Sequence, residues 1–80
     1  MVEVIFDELF KRDFKRIKDK AIKERIIAQV SKIKTNPEIG KPMRYSRKGT
    51  RELYISPYRL SYALEGEMVY ILALYHKDVQ

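Results

Sequence analysis

The sequence predicts a small α+β fold: an N-terminal strand, a helical hairpin, then a three-stranded antiparallel meander, forming one sheet with helices on one face. Three observations predict it. Apolar residues recur at helical spacing between Asp7 and Lys34, and alternate with a period of two between Arg51 and Lys77. A connector bearing Pro and Gly separates the two regimes. At 80 residues the chain is expected to form one domain spanning 1–80, near the low end of what folds alone.

Val2 to Phe6 is short, apolar and rich in β-branched residues, which predicts the first strand. Asp7 is placed to cap a helix, with Glu8 favourable in its first turn. Phe10, Phe14 and Ile17 then share one helical face, and Ile22, Ile26, Val30 and Ile33 share a second, ending at Thr35-Asn36-Pro37. A single helix over Asp7–Lys34 would be about 42 Å long. A globule of this chain length has a radius of gyration of about 12 Å and a diameter of about 30 Å, so the rod would overhang it. A hairpin broken around Lys18-Asp19-Lys20, with Asp19 as the second cap, is therefore preferred, although no Gly or Pro marks the break.

Pro37 to Thr50 reads as a basic connector: Lys41, Arg44, Arg47 and Lys48 lead to Arg51, with no acid between Glu38 and Glu52. Leu53 and Ile55 then point to one face and Glu52, Tyr54 and Ser56 to the other. Pro57 ends or bulges that run, since it has no N–H to donate. Tyr58, Leu60, Tyr62 and Leu64 form one face of the next strand, with Arg59, Ser61 and Ala63 on the other. Glu65-Gly66 supplies a tight turn. Val69 to Tyr75 is nearly continuously apolar, which predicts a central strand buried on both faces.

Composition narrows the function. A formal charge of +6 and a pI near 9.7 favour polyanions or an acidic protein partner. Cysteine is absent and His76 is the only histidine, so neither a cysteine-ligated nor a multi-histidine metal site is expected, and no cofactor motif is present. No apolar stretch approaches a membrane span, and with no targeting pattern the cytoplasm is the expected location.

Arg59 stands on a face of small residues, and its planar fork matches phosphate oxygens. The alternative is an ion pair with Glu52 on the neighbouring strand. His76, beside Lys77 at a strand end, has an ordinary pKa near neutrality and is either a general acid or base or a solvated strand-end residue. Arg44, Arg47, Lys48 and Arg51, with Tyr54 and Tyr75, would suit RNA, the cations following phosphates and the rings stacking on bases. The alternative for the connector is a solvated loop. A basic site of this kind suits attack of an RNA 2′-hydroxyl on its own phosphate, with cations stabilising the phosphorane.

The string RELYISPYRLSY and the apolar strand running into His76-Lys77 resemble the RelE/ParE superfamily of bacterial and archaeal toxins. The resemblance implies the toxin of a type II toxin–antitoxin module, held by a partner antitoxin that the net charge predicts to be acidic. On the preferred, RelE-like side it implies a metal-independent endoribonuclease acting on messenger RNA in the ribosome. Arg59 then falls at a phosphate-stabilising arginine, Lys77 where a second catalytic arginine stands, and His76 beside it. Glu52 and Tyr54 stand where RelE-like enzymes often carry basic residues, and Tyr54 or Tyr75 would have to replace a tyrosine commonly found in their C-terminal tail. The REL-x-x-x-PYR-x-x-Y form also suits the ParE-like alternative, which inhibits DNA gyrase without nuclease activity. A third alternative is a degenerate member that only binds an antitoxin or nucleic acid.

Overall fold

Two aspartates decide where the helices begin. Asp7 has extended backbone, and its carboxylate accepts the Leu9 N–H at 2.9 Å. Asp19, also extended, accepts the N–H groups of Ala21 and Ile22 at 2.9 and 3.3 Å. Each carboxylate thus satisfies donors that a helix start leaves without an intrahelical partner. Between the two helices the chain turns extended at Ile17, which is only 6% exposed, so burial of one isoleucine accompanies the break that no Gly or Pro signals.

The computed structural model describes residues 2–44 and 49–78. Its elements in chain order are β1 (Glu3–Phe6), α1 (Glu8–Arg16), α2 (Lys20–Thr35), β2 (Lys41–Pro42), β3 (Thr50–Ile55), β4 (Tyr58–Glu65) and β5 (Met68–His76). The five strands lie in the order β1-β5-β4-β3-β2, with β1 parallel to β5 and the other neighbours antiparallel. The expected α+β architecture is present, with three differences. The first strand begins at Glu3 rather than Val2. The connector contributes β2, a two-residue edge strand in which Pro42 is tolerated because an edge position does not demand its N–H. The last hairpin turns at Gly66-Glu67, one residue later than expected, because Glu65 pairs with Met68 and Gly66 takes the positive φ of 60° that such a turn requires.

β5 is an interior strand, yet only one of its faces is deeply buried. Val69, Ile71 and Leu74 are at most 3% exposed, whereas Met68, Tyr70, Ala73 and Tyr75 are half-buried. The change of parity between Ile71 and Leu74 has a local cause. Ser61 pairs with Ala73 but Tyr62 pairs with Ile71, which leaves Leu72 as an extra residue, a β-bulge. The expectation of burial on both faces fails because the helices cover only the face that carries Leu60, Tyr62, Val69, Ile71 and Leu74. Phe10, Ile17, Ile26 and Ile33 close that core from the helical side. Burying such a side chain contributes about 1.5–3 kcal/mol. The radius of gyration is 11.8 Å and the longest extent 33 Å, too short for the single-rod alternative.

Tyr62 ties the connector to this core. Its hydroxyl donates to the Pro37 carbonyl at 2.7 Å and accepts the Gly40 N–H at 2.8 Å. Glycine is required at position 40 by proximity: a Cβ there would lie 2.6 Å from the Tyr62 hydroxyl oxygen and 2.7 Å from a ring carbon. Arg51 adds two further ties, donating to the carbonyls of Glu38 at 3.1 Å and Gly40 at 2.8 Å.

Tyr62→Phe leaves both connector groups without this partner and is expected to cost about 1–3 kcal/mol in urea denaturation. Burial raises the Tyr62 phenol above its ordinary 10.0, against the Gly40 hydrogen bond and the Arg51 charge, which lower it. The native state therefore keeps a proton that the unfolded chain releases. The resulting stability is full below about pH 10 and is lost as pH rises through the folded-state value. The stability gap between the parent and Tyr62→Phe should accordingly narrow above pH 10 and stay constant below it.

Candidate functional site

Alternation along β4 turns Leu60 and Tyr62 into the core and Arg59 and Ser61 to the face without helices. Antiparallel register then sets one row across three strands, Tyr54–Arg59–Tyr75, and a second, Glu52–Ser61–Ala73. The bulge at Leu72 is what brings Tyr75 into the first row. With strict alternation Tyr75 would share the core face with Val69 and Ile71. Ser61 and Ala73 are small, so the second row has a low floor on which Glu52 and the longer side chains of the first row can meet.

The meeting is between charges. Arg59 Nη1 lies 3.3 Å from Glu52 Oε1, with the arginine side chain 36% exposed and the glutamate 9% exposed. The Tyr75 hydroxyl donates to Glu52 Oε2, so each carboxylate oxygen accepts a separate donor. The guanidinium carbon sits 5.7 Å from the Tyr54 ring centroid, within cation–π range. Arg59 Nε is buried without a hydrogen-bond acceptor, so the ion pair uses one arm of the fork rather than two. Arg59 thus makes the ion pair with Glu52 that stands as the alternative to phosphate binding. Lys41 lies opposite Glu52 in the β2–β3 register and adds a cation to the same face. At Tyr54, the hydrogen bond with the Ser56 hydroxyl lowers the phenol below its ordinary value; desolvation opposes it, and Lys77 and Arg59 add to the lowering.

The remaining sequence-derived candidates separate. His76 pairs with Tyr58 on the core side, its ring edge-on to the Tyr58 ring with centroids 5.7 Å apart, and its Nδ1 accepts the Asp78 N–H at 3.3 Å. His76 therefore faces away from Arg59. Lys77 follows on the Arg59 side, its backbone N–H bonded to the Pro57 carbonyl at 2.9 Å and its charge felt by Tyr54. Arg51 is on the Tyr62 side, occupied with the connector carbonyls. Arg44 is exposed just beyond β2, while Arg47 and Lys48 lie outside the described residues. The structure thus brings together Tyr54, Arg59, Tyr75 and Lys77, and adds Glu52, which the sequence offered only as a counter-ion. The signal for Glu52 as part of the site was its parity, shared with Tyr54, opposite a strand that turns back after two residues. Among the described residues no group of three or more His, Cys, Asp or Glu is placed to hold a metal ion. No described helix is long and apolar enough to cross a membrane.

A second surface lies at the other end of the sheet. Phe6, Phe10 and Phe14 stack in series with centroids 5.5 and 5.7 Å apart. With β1, Ile27 and Val30 they line an open groove of about 1010 Å³, whose lining also includes Lys11 and Lys34. Ile5, Phe6 and Ile27 are 42%, 39% and 56% exposed beside it.

Residues 4–79 match the family model described as the ParE toxin of the type II toxin–antitoxin system, parDE. The toxin of the intact Escherichia coli RelBE toxin–antitoxin complex superposes with a TM-score of 0.78 at 18% identity, over 95% of this chain and 96% of that one. The RelBE2 toxin–antitoxin complex from Mycobacterium tuberculosis gives 0.74 at 27% identity, over 95% and 98%. The YoeB/ParE toxin from Agrobacterium tumefaciens gives 0.81 at 15% identity, over 94% and 98%. No curated protein sequence matches the chain. A family model spanning nearly the whole chain, on a fold shared with these toxins, shows that the chain belongs to the ParE toxin family of type II toxin–antitoxin systems, within the RelE/ParE superfamily.

Proposed function

We propose that this toxin acts by binding a protein target, DNA gyrase on the ParE-like reading, rather than by cutting messenger RNA. The observation that carries this is the Glu52 carboxylate held against Arg59. A scissile phosphate brought to Arg59 would meet that carboxylate. Two unit charges about 4 Å apart at an effective dielectric of about 20 repel by about 4 kcal/mol, which offsets the attraction that Arg59 offers at a similar distance. Two further features support the reading. Tyr75 donates its proton to Glu52, and His76 is turned to the other face, so the histidine stands away from Arg59. The messenger-cleaving reading is favoured by one observation, the gathering of Tyr54, Arg59, Tyr75 and Lys77 on one face, and the experiment below separates the two.

The antitoxin belongs, on this reading, in the apolar groove along β1. Several solved relatives are toxin–antitoxin complexes, such as RelBE of Escherichia coli and YoeB–YefM of Staphylococcus aureus. An amphipathic helix can lay its apolar face on Phe6, Phe10 and Ile27, or an extended segment can add to the free edge of β1. The net charge of +6 favours an acidic one.

Purified toxin is expected to inhibit supercoiling by gyrase and to leave messenger RNA intact in a reconstituted translation reaction read by primer extension. Message ends in register with codons, lost in Arg59→Ala, with gyrase unaffected, would overturn the reading. Ile27→Asp should weaken antitoxin binding by about 2 kcal/mol in calorimetry, the loss of one central apolar anchor. Because Ile27 is 56% exposed, the melting temperature of the free toxin should hardly change.

A further inference from the structure

We infer that Glu52 is a specificity determinant: its carboxylate occupies a latent phosphate-binding site on the open sheet face and keeps phosphodiesters out of it. The inference deepens the reading of this face as one that does not handle RNA, and supplies its physical cause.

The parts of an anion site are present. Arg59 presents a guanidinium 5.7 Å from the Tyr54 ring, a surface on which a base could stack. Lys41 by register and Lys77 by its effect on Tyr54 bring two more positive charges to the same side. Tyr75 aims a hydroxyl donor at the same point as Arg59, and that point is Glu52. A phosphate needs what Glu52 has: two oxygens accepting from an arginine arm and a hydroxyl. The carboxylate is therefore bound where a phosphate's oxygens would bind. At 9% side-chain exposure Glu52 is sheltered, so solvent screens its charge only weakly. The backbone of Glu52 is fixed within the paired run of β3, opposite Ser61 on one side and Lys41 on the other, and Arg59 and Tyr75 hold its carboxylate. A phosphate entering with the carboxylate in place would set an anion beside an anion.

The consequence is that one neutral substitution should open the site. The probe is a short fluorescein-labelled single-stranded RNA, its binding to the full toxin followed by anisotropy at low and moderate salt. Glu52→Gln should bind about tenfold more tightly than the parent, and its salt slope should steepen by about 0.7, the increment for one more neutralised phosphate on a single strand. Adding Arg59→Gln to Glu52→Gln should abolish the gain. Inorganic phosphate should raise the melting temperature of Glu52→Gln and leave that of the parent unchanged. If Glu52→Gln does not fold, Glu52→Met removes the carboxylate while keeping both donors, the Arg59 guanidinium and the Tyr75 hydroxyl, and the same gain is expected. Equal affinity of parent and either folded variant would overturn the inference, as would a gain that survives loss of Arg59. The result is independent of the target assays: a failure to inhibit gyrase removes the proposed target, whereas an unchanged RNA affinity removes the role of Glu52.

Discussion

Everything in this molecule hangs on the alternation of β4. That strand has β3 on one side and β5 on the other, so its parity is transmitted in both directions through paired residues. Leu60 and Tyr62, both fully buried, cannot be turned outward without emptying the core. Shifting the strand by one residue would exchange them with Arg59 and Ser61, placing a guanidinium under the helices. The position of Arg59 is thus enforced by its apolar neighbours, and its own interactions only decide what it does once there. Tyr62 extends the same constraint to the connector, where its hydroxyl organises Pro37 and Gly40.

Above that framework the open face is electrostatically closed upon itself. Arg59 is answered by Glu52, Glu52 by Tyr75, and the Tyr54 ring lies beside the guanidinium. Such a network is rigid and locally neutral. It suits a surface that recognises a partner by shape, with Lys41 and Lys77 left to steer it. The apolar groove at β1 differs in kind: three stacked phenylalanines and exposed isoleucines give it apolar area. One molecule thereby carries two surfaces with different recognition physics, at opposite parts of the sheet.

Much of this was legible in the residues. Asp7 and Asp19 announce their helices because a carboxylate before a helix has one local task, and local tasks are written in adjacent positions. The faces of β3 and β4 follow from simple alternation. The pairing of Arg59 with Glu52 was one of two readings, and both rested on the same parity. What escaped the sequence is non-local. The bulge at Leu72 sits in an unbroken apolar run, so nothing in its composition marks where the parity flips. From that one slip follow the outward turn of Tyr75 and the inward turn of His76, which strict counting assigns the other way round. Arg51 looks like any other cation in a basic stretch, and only the fold shows that its donors are spent on carbonyls. β2 is too short to carry a period at all.

The strand order has a consequence in time. β1 is made well before β5, yet they are neighbours, joined in parallel. During synthesis the two helices can form from local contacts, but β1 has no sheet to join until the final strand has left the ribosome. β1, which forms one wall of the groove, is fixed in the sheet only once that closure is complete. A nascent chain therefore lacks its completed sheet until β5 has emerged, which leaves an interval in which an inhibitor can already be waiting.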